Sequence, residues 1–309
     1  MQLVRGLTNL PEVADPCALT IGNFDGVHRG HLEILRLLAD AAGQRGLSTS
    51  LMIFEPQPME FFLQDKAPSR LYRFSEKLRV LETLVLDRVI ALEFGQHLAQ
   101  MKAEDFISHI LVERMNVKYL LIGDDFRFGH ERAGDFEMLK SASRQYGFEL
   151  HSIDSVLESE RRISSTAVRE LLHQGEIEAA SALLGRPYVM CGRVIHGKKL
   201  GRHIGWPTIN IPVRRHNSPV AGIYAVRVAG VQDSKVLDGV ASIGTRPTVN
   251  GEGWLLEVHL FDWSGDCYGC RVDVEFIKHL RNEEKFENID VMTLQIERDA
   301  AQAKKVLRA

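Results

Sequence analysis

The texture of this chain changes at Pro187, and that change limits its fold more than any other feature. Before it, apolar segments of strand length alternate with segments of helical period. Cys17-Ala-Leu-Thr-Ile reads as a buried strand. Leu32, Leu35, Leu38, Ala39 and Ala42 then form a helical stripe that Gly43 and Gly46 end. Residues 48–54, 88–94 and 118–123 read as further strands, and 76–86 and 103–115 as helices. Such alternation predicts an α/β domain with a doubly wound parallel sheet. Residues 163–169 open another helix, with Ser164, Ser165 or Thr166 as its cap, and a short helix over 177–184 leads to Gly185-Arg-Pro187. Beyond Pro187 the chain is rich in Gly and β-branched residues. Short strands over 188–195, 222–228, 236–243, 254–261 and 271–276 predict a small antiparallel β-barrel. One terminal helix follows, with Met292, Ile296, Ala300, Ala303 and Leu307 as its buried stripe. A length of 309 residues suits about two domains, expected at 1–185 and 186–309.

Bulk properties exclude several classes. A net charge of -3 gives no electrostatic case for a nucleic-acid partner. The N-terminus lacks a signal-peptide core and no apolar run approaches a membrane span, so no membrane partner and a cytoplasmic location are expected. Four cysteines are too few and too scattered for a disulfide framework. Cys267-Tyr-Gly-Cys270 is a lone Cys-x-x-Cys without a second pair, and reads as ordinary reduced thiols.

Chemistry concentrates in a few segments. Thr20-Ile-Gly-Asn-Phe-Asp-Gly-Val-His-Arg-Gly-His31 reads as strand end, glycine-containing turn and helix start. It places His28 and His31 three residues apart, on one helix face. A helix N-terminus suits an anion such as a triphosphate, and imidazoles can donate to phosphate oxygens. A helix cap with incidental histidines, or half a metal site, is the competing reading. Gly123-Asp-Asp-Phe-Arg-Phe-Gly129 follows an apolar strand, where parallel sheets line their ligand crevice. There Asp124 or Asp125 could hold a ribose, a flavin group or a metal-bound water, or simply serve a turn. Arg162-Ile-Ser-Ser-Thr-Ala-Val-Arg169 sets hydroxyls at a helix start between arginines, which suits a phosphate tail or a plain cap. No role is derived for Phe54-Glu-Pro-Gln-Pro58, a rigid strand exit. In the second half, residues 192–210 hold glycines and basic side chains in a presumed loop. Backbone N–H groups can approach phosphates there. Thr208 and Asn210 alternate around Ile209, so a strand points both to one face. Two neutral oxygens suit Mg²⁺, against an ordinary surface loop. Glu257, in Leu255-Leu-Glu-Val-His-Leu-Phe261, is a plausible general base if it faces a ligand, and an exposed strand carboxylate otherwise.

Taken together, the motifs resemble the bacterial bifunctional riboflavin kinase/FAD synthetase family over essentially the whole chain, in order. The 20–31 run resembles its nucleotidyltransferase signature, and 123–129 and 163–169 its later adenylyltransferase motifs. Gly205-Trp-Pro-Thr-Ile-Asn210 resembles the riboflavin kinase Pro-Thr-x-Asn motif. Gly222-Ile-Tyr-Ala-Val, Ala241-Ser-Ile-Gly-Thr-Arg-Pro-Thr and Glu257-Val-His-Leu extend the match.

The resemblance implies an N-terminal nucleotidyltransferase domain and a C-terminal riboflavin kinase barrel. Riboflavin and ATP give FMN; FMN and a second ATP give FAD and pyrophosphate. It implies that His28 and His31 stabilise developing charge. Gly22, Asn23, Phe24, Asp25, Gly26, Arg162, Ser164, Ser165, Thr166 and Arg169 would bind ATP phosphates. Asp124, Asp125 and Phe126 would lie at the flavin or nucleotide. In the kinase, Gly192, Val194, His196, Gly197, Leu200, Gly201, Arg202, Gly205 and Pro207 would wrap ATP. Thr208 and Asn210 would hold Mg²⁺, Glu257 would act as base, and Arg281 and Phe286 would lie near the flavin. Some members carry Asn at the position of Asp125. Two other classes compete: a monofunctional nucleotidyltransferase with a non-catalytic flavin-binding regulatory barrel, and a flavin-binding module without catalysis. The first leaves Thr208, Asn210 and Glu257 unexplained, the second the histidine turn.

Overall fold

A computed structural model describes residues 1–10, 14–123, 125–153, 157–158, 161–197, 201, 204–232, 235–248 and 251–308. The chain divides into two compact units. One comprises Met1–Pro68 and Lys77–Ser164, the other Ser69–Glu76 and Ser165–Ala309.

The first unit is built on six parallel strands: β1 (Gln2–Arg5), β2 (Cys17–Ile21), β3 (Ser48–Glu55), β4 (Arg88–Glu93), β5 (Val117–Gly123) and β6 (Glu149–Ile153). Their spatial order is β1-β4-β3-β2-β5-β6. From β2 the chain winds through β3 to β4, then returns to add β5 on the other side of β2. The winding therefore reverses between β2 and β5, and the carboxyl ends of these strands bound the crevice where open parallel sheets take ligands. All five residues of β2 are buried, as continuous apolar runs in parallel sheets require. Leu19, Met52, Ile90, Leu111 and Leu120 belong to one core, each burial contributing about 1.5–3 kcal/mol. A short antiparallel ribbon, β7 (Leu157–Glu158) and β8 (Arg161–Arg162), completes the strands of this unit.

Several elements depart from expectation. The first long helix spans Arg29–Arg45, so Gly43 lies inside it; Gly46, at φ 63°, ends it by donating its N–H to Ala42 O. The helix expected over 76–86 instead runs Phe74–Leu81 and closes in tight turns, Thr83 N–H to Val80 O and Leu84 N–H to Leu81 O. Residues 103–115 are α-helical only over Ala103–Asp105; Phe106–Arg114 is a π-helix. Phe106, Ile107, Ile110 and Leu111 enter the core from this segment. Neither β1 nor β6 was expected. Glu-Leu-His-Ser-Ile of β6 is an edge strand with no buried residue, so it carries no apolar run to read. Gln57 gives the strand exit 54–58 its role: it caps the helix Pro58–Leu63 in a reciprocal box with Glu60.

The second unit is a nearly closed antiparallel barrel. It contains β9 (Val189–Arg193), β10 (Ile209–Pro212), β11 (Gly222–Gln232), β12 (Lys235–Thr248), β13 (Gly251–Leu260) and β14 (Arg271–Arg281), in the order β10-β13-β12-β11-β14-β9. Ile195 N–H donates to Asn210 O at 2.9 Å and draws the exit of β9 onto β10. The helix Ile289–Leu307 packs Ala300, Ala303 and Leu307 on Ile223, Ala225, Val240 and Phe261. Asn288 caps it, accepting from Val291 N–H at 2.9 Å. Met292 and Ile296 are only half-buried, so the apolar stripe narrows toward its start. The helices Ser165–His173 and Ile177–Leu184 belong to this unit.

So does the segment Ser69–Glu76, a strap held by polar bonds to the barrel's entry strand. The Glu76 carboxylate accepts Cys191 N–H at 2.9 Å, Arg73 N–H at 2.7 Å and Arg215 Nη2 at 2.5 Å. Side chains of Glu76 and Arg215 are 3% and 1% exposed, which makes this a buried ion pair. Tyr188 hydroxyl and Arg215 Nη2 both donate to Leu71 O.

Candidate functional sites

The first site grows from the turn between β2 and the helix Arg29–Arg45. Phe24 and Val27 hold left-handed backbone at φ 48° and 43°. Such conformations cost about 1–3 kcal/mol each in non-glycine residues and persist where their surroundings fix them. The fixing is visible here. Phe24 is buried, and its ring stacks on His31 at 4.4 Å; His31 stacks on His28 at 3.6 Å. Both histidines thus sit in a three-ring stack at a helix start that no side chain caps. Gly22, Asn23, Asp25 and Gly26 form the turn itself. Asp25 and Gly26 are buried within it.

Lys77 lies beneath the turn and donates to Asn23 O at 2.6 Å from a fully buried position. Sequence reading missed it, because one lysine in an amphipathic helix looks like a solvated face. The carbonyl of Ile163 stands 3.6 Å from where a Gly30 Cβ would lie, so the Ile163–Ser164 segment approaches the same helix start.

Across the winding reversal, β5 ends in the turn where Phe126 N–H meets Gly123 O at 3.2 Å. Asp125 is exposed, with its Oδ1 turned back toward Gly123. Phe126 stacks on Phe128 at 5.5 Å. Asp124 lies outside the described residues, and Arg162 lies on β8, whose side chains are also outside them. Ser165, Thr166 and Arg169 fall in the second compact unit; Arg169 Nε donates to Ser69 O at 2.8 Å.

The second site lies on the barrel. In the β10–β13 register Asn210 stands directly across from Glu257, and in the β12–β13 register Glu257 stands across from Ser242. Asn210 is buried and Glu257 half-buried. Thr208 precedes β10, and Asn210 Nδ2 donates to Thr208 O at 3.4 Å. A Cβ on Gly197 would fall 2.5–2.7 Å from the Asn210 amide, so any larger residue there would have to displace the Asn210 side chain. Gly192 is needed for another reason: its missing side chain makes room for Ile211 as β9 and β10 converge.

Trp206 N–H bonds to Gly201 O at 2.7 Å and closes the loop ahead of Pro207 and Thr208. His259 steadies that loop. Its Nδ1 donates to Pro207 O at 2.8 Å, and its ring meets Trp206 edge-on at 4.7 Å. Burial holds its pKa below the ordinary 6.5, which favours the neutral ring. Beside Thr208 opens a cavity of about 300 Å³ whose wall includes Val258, Trp263, Asp266, Cys267 and Tyr268. The exposed His196 ring packs on Tyr268 at 3.7 Å. In this wall the sequence reading gave Cys267 only the role of an ordinary reduced thiol and gave Trp263 and Asp266 none, because nothing local ties this stretch to Thr208.

Val194 is buried, Gly205 is exposed at φ 82°, and Leu200 and Arg202 lie outside the described residues. Arg281, expected near the flavin, grips Asp299 of the terminal helix through Nε at 2.9 Å and Nη2 at 2.7 Å. That pairing raises its already high pKa. Phe286 lies 5.7 Å from the Arg281 guanidinium.

A helix start at the winding reversal of a parallel sheet, followed in the chain by an antiparallel barrel that sets Asn210 across from Glu257, marks a two-module α/β protein. Comparison with known proteins gives the class its members. The family model for FAD synthetase matches residues 10–167, and that for riboflavin kinase residues 184–307. A bifunctional riboflavin kinase/FMN adenylyltransferase of Escherichia coli (strain K12) is 48% identical over 98% of this chain and 97% of its own. One of Haemophilus influenzae is 48% identical over 98% of both. A crystal structure described as a macrolide-efflux protein from Streptococcus pneumoniae superposes with a TM-score of 0.81 at 27% identity, covering 97% of each chain. Among the described residues no helix is long and apolar enough to cross a membrane.

The chain belongs to the bifunctional riboflavin kinase/FMN adenylyltransferase family. It phosphorylates riboflavin to FMN and adenylylates FMN to FAD, so the barrel is a kinase module and not an inert regulatory one.

Proposed function

We propose that the two reactions run at the two sites described, with the adenylyltransferase carried by residues 1–185 and the kinase by 186–309. The observation that carries this reading is the cross-strand register that sets Glu257 against Asn210 beside the cavity at Thr208. Glu257 accepts the proton of the ribityl 5′-hydroxyl, that oxygen attacks the γ-phosphorus of ATP, and the bond to the β–γ bridging oxygen breaks as ADP leaves. The cavity holds the adenosine end of ATP, and Gly197 lets backbone approach the phosphates. The donor set fits Mg²⁺, a hard cation that takes oxygen ligands and keeps substrate phosphates in its shell. Thr208 and Asn210 would hold it, and when bound it neutralises phosphate charge.

In the other module the FMN phosphate is already a nucleophile. It attacks the α-phosphorus of the second ATP, and pyrophosphate leaves. His28 and His31, fixed by their stack, donate to oxygens that gain charge, with the helix start adding its dipole. Ser164 holds the phosphate tail, and Asp125 and Phe126 line the flavin side. Four free cysteines fit a reducing compartment, so both reactions are assigned to the cytoplasm.

Metal removal tests the barrel assignment. With riboflavin and ATP, a chelator should abolish FMN formation and added Mg²⁺ should restore it. Asn210→Leu should raise the Mg²⁺ concentration that gives half-maximal kinase rate. An unchanged Mg²⁺ response in a folded variant would remove Asn210 from the metal site.

A further inference from the structure

We infer that Cys267 and Cys270 form a dithiol modification site, closed to a disulfide by a hydroperoxide, on the wall of the kinase cavity. The two residues end one tight turn. Cys270 N–H donates to Cys267 O at 3.1 Å, and Gly269 supplies φ 80° at the third position. A hydrogen-bonded turn brings its first and fourth Cα atoms within about 7 Å, and disulfides span about 4.4–6.8 Å between Cα atoms. Burial first, then the charges of Cys270 and Asp266, push the Cys267 thiol up, so Cys267 is not the sulfur that meets the oxidant first. Both are free, Cys267 buried and Cys270 partly exposed.

Exposure fixes the order of events. The Cys270 sulfur attacks the peroxide, the O–O bond breaks, and the departing oxygen takes the thiol proton as water or alcohol. A sulfenic acid remains on Cys270. The Cys267 sulfur then attacks the sulfenic sulfur. An S–S bond forms, and hydroxide leaves with the Cys267 proton as water. Two electrons pass from the thiol pair to the peroxide, the oxidant of the step.

The turn is wired to the kinase site. Cys267 stands in the cavity wall between Asp266 and Tyr268. Val194 N–H donates to Cys270 O, and Gly269 N–H donates to Val194 O, both at 2.9 Å. Val194 leads through His196 to Gly197, the residue that passes over Asn210. Closing the bridge therefore reshapes the wall and tugs the nucleotide loop. This second half rests on the reading of the cavity as the ATP pocket.

The test uses the full chain, treated with hydrogen peroxide and then blocked with a thiol alkylating agent. Against an untreated chain alkylated under the same denaturing conditions, the product should carry two fewer alkyl groups, and peptide mapping should place the bridge at 267–270, two hydrogens lighter than the dithiol peptide. The ATP KM of riboflavin phosphorylation should rise severalfold and recover with dithiothreitol, while FAD formation from supplied FMN stays unchanged. Cys270→Ser should keep the untreated kinase rate and lose the bridge and its KM shift. A Cys267–Cys270 peptide that stays reduced, or oxidises to sulfinic acid without bridging, overturns the site. A bridge with an unchanged ATP KM overturns the link to the cavity. Reduced enzyme that phosphorylates riboflavin with an ATP KM insensitive to Tyr268→Ala would instead fault the pocket assignment, which the mass measurement does not depend on.

Discussion

Glu257 and the His28/His31 pair should fail in opposite directions. Glu257→Gln keeps size and some hydrogen bonding but cannot take a proton. Loss of a general base lowers kcat about 10²–10⁴-fold, so FMN formation should fall in that range while FAD formation from supplied FMN persists. His28→Ala with His31→Ala should reverse the pattern: FMN accumulates and FAD does not form. Chromatography of the products from each folded variant checks both. A variant that loses both products would mean the sites are coupled, and near-normal rates would return these residues to surface or capping roles. These positions were legible because each sits in a dense local pattern. His28 and His31 are spaced for one helix face, and Thr208 and Asn210 bracket one strand residue. Lys77 and His259 were not legible. Each acts on a backbone carbonyl far away in sequence, Asn23 O and Pro207 O, and no local spacing announces such a bond.

Among the elements, the strap Ser69–Glu76 gives the sharpest energetic expectation. Glu76 answers Arg215 in a buried pair, and removing one partner of such a pair costs about 3–5 kcal/mol, because the remaining charge stays desolvated. Glu76→Gln should therefore lower the unfolding free energy of the second unit by an amount in that range, read as a shift of its denaturant midpoint to lower concentration. Tryptophan fluorescence reads this directly, since all three tryptophans, Trp206, Trp254 and Trp263, lie in that unit. A midpoint equal to that of the unaltered chain would make the pair energetically silent. The buried strands β2 to β5 and the barrel strands were legible from apolar runs and alternation. The strap was not: Leu71 and Tyr72 are adjacent, have neither helical nor strand period, and are buried where Tyr188 and Arg186 meet the Tyr72 ring and Tyr188 and Arg215 donate to Leu71 O. The π-helix Phe106–Arg114 was hidden for a related reason. Its apolar residues suit an ordinary helix, and the core decides which turn they take.

For the whole molecule, the two activities should separate more cleanly than the two folds. A fragment over 186–309 contains the Thr208/Asn210/Glu257 constellation and should phosphorylate riboflavin without making FAD. It lacks Glu76 and Leu71, so Arg215 loses its carboxylate and an acceptor. Its tryptophan transition should come at lower denaturant than in the full chain. A folded fragment with no kinase activity would contradict the two-site reading, and an equal midpoint would contradict the strap. The strap also sets an order of assembly during synthesis. Arg215 follows Glu76 by 139 residues, so at about 5–20 residues per second the strap leaves the ribosome roughly 7–28 s before its partner. For that interval Leu71 and Tyr72 have nothing of the barrel to cover them, and a nascent chain of this design offers chaperones a short apolar handle in the middle of its first module.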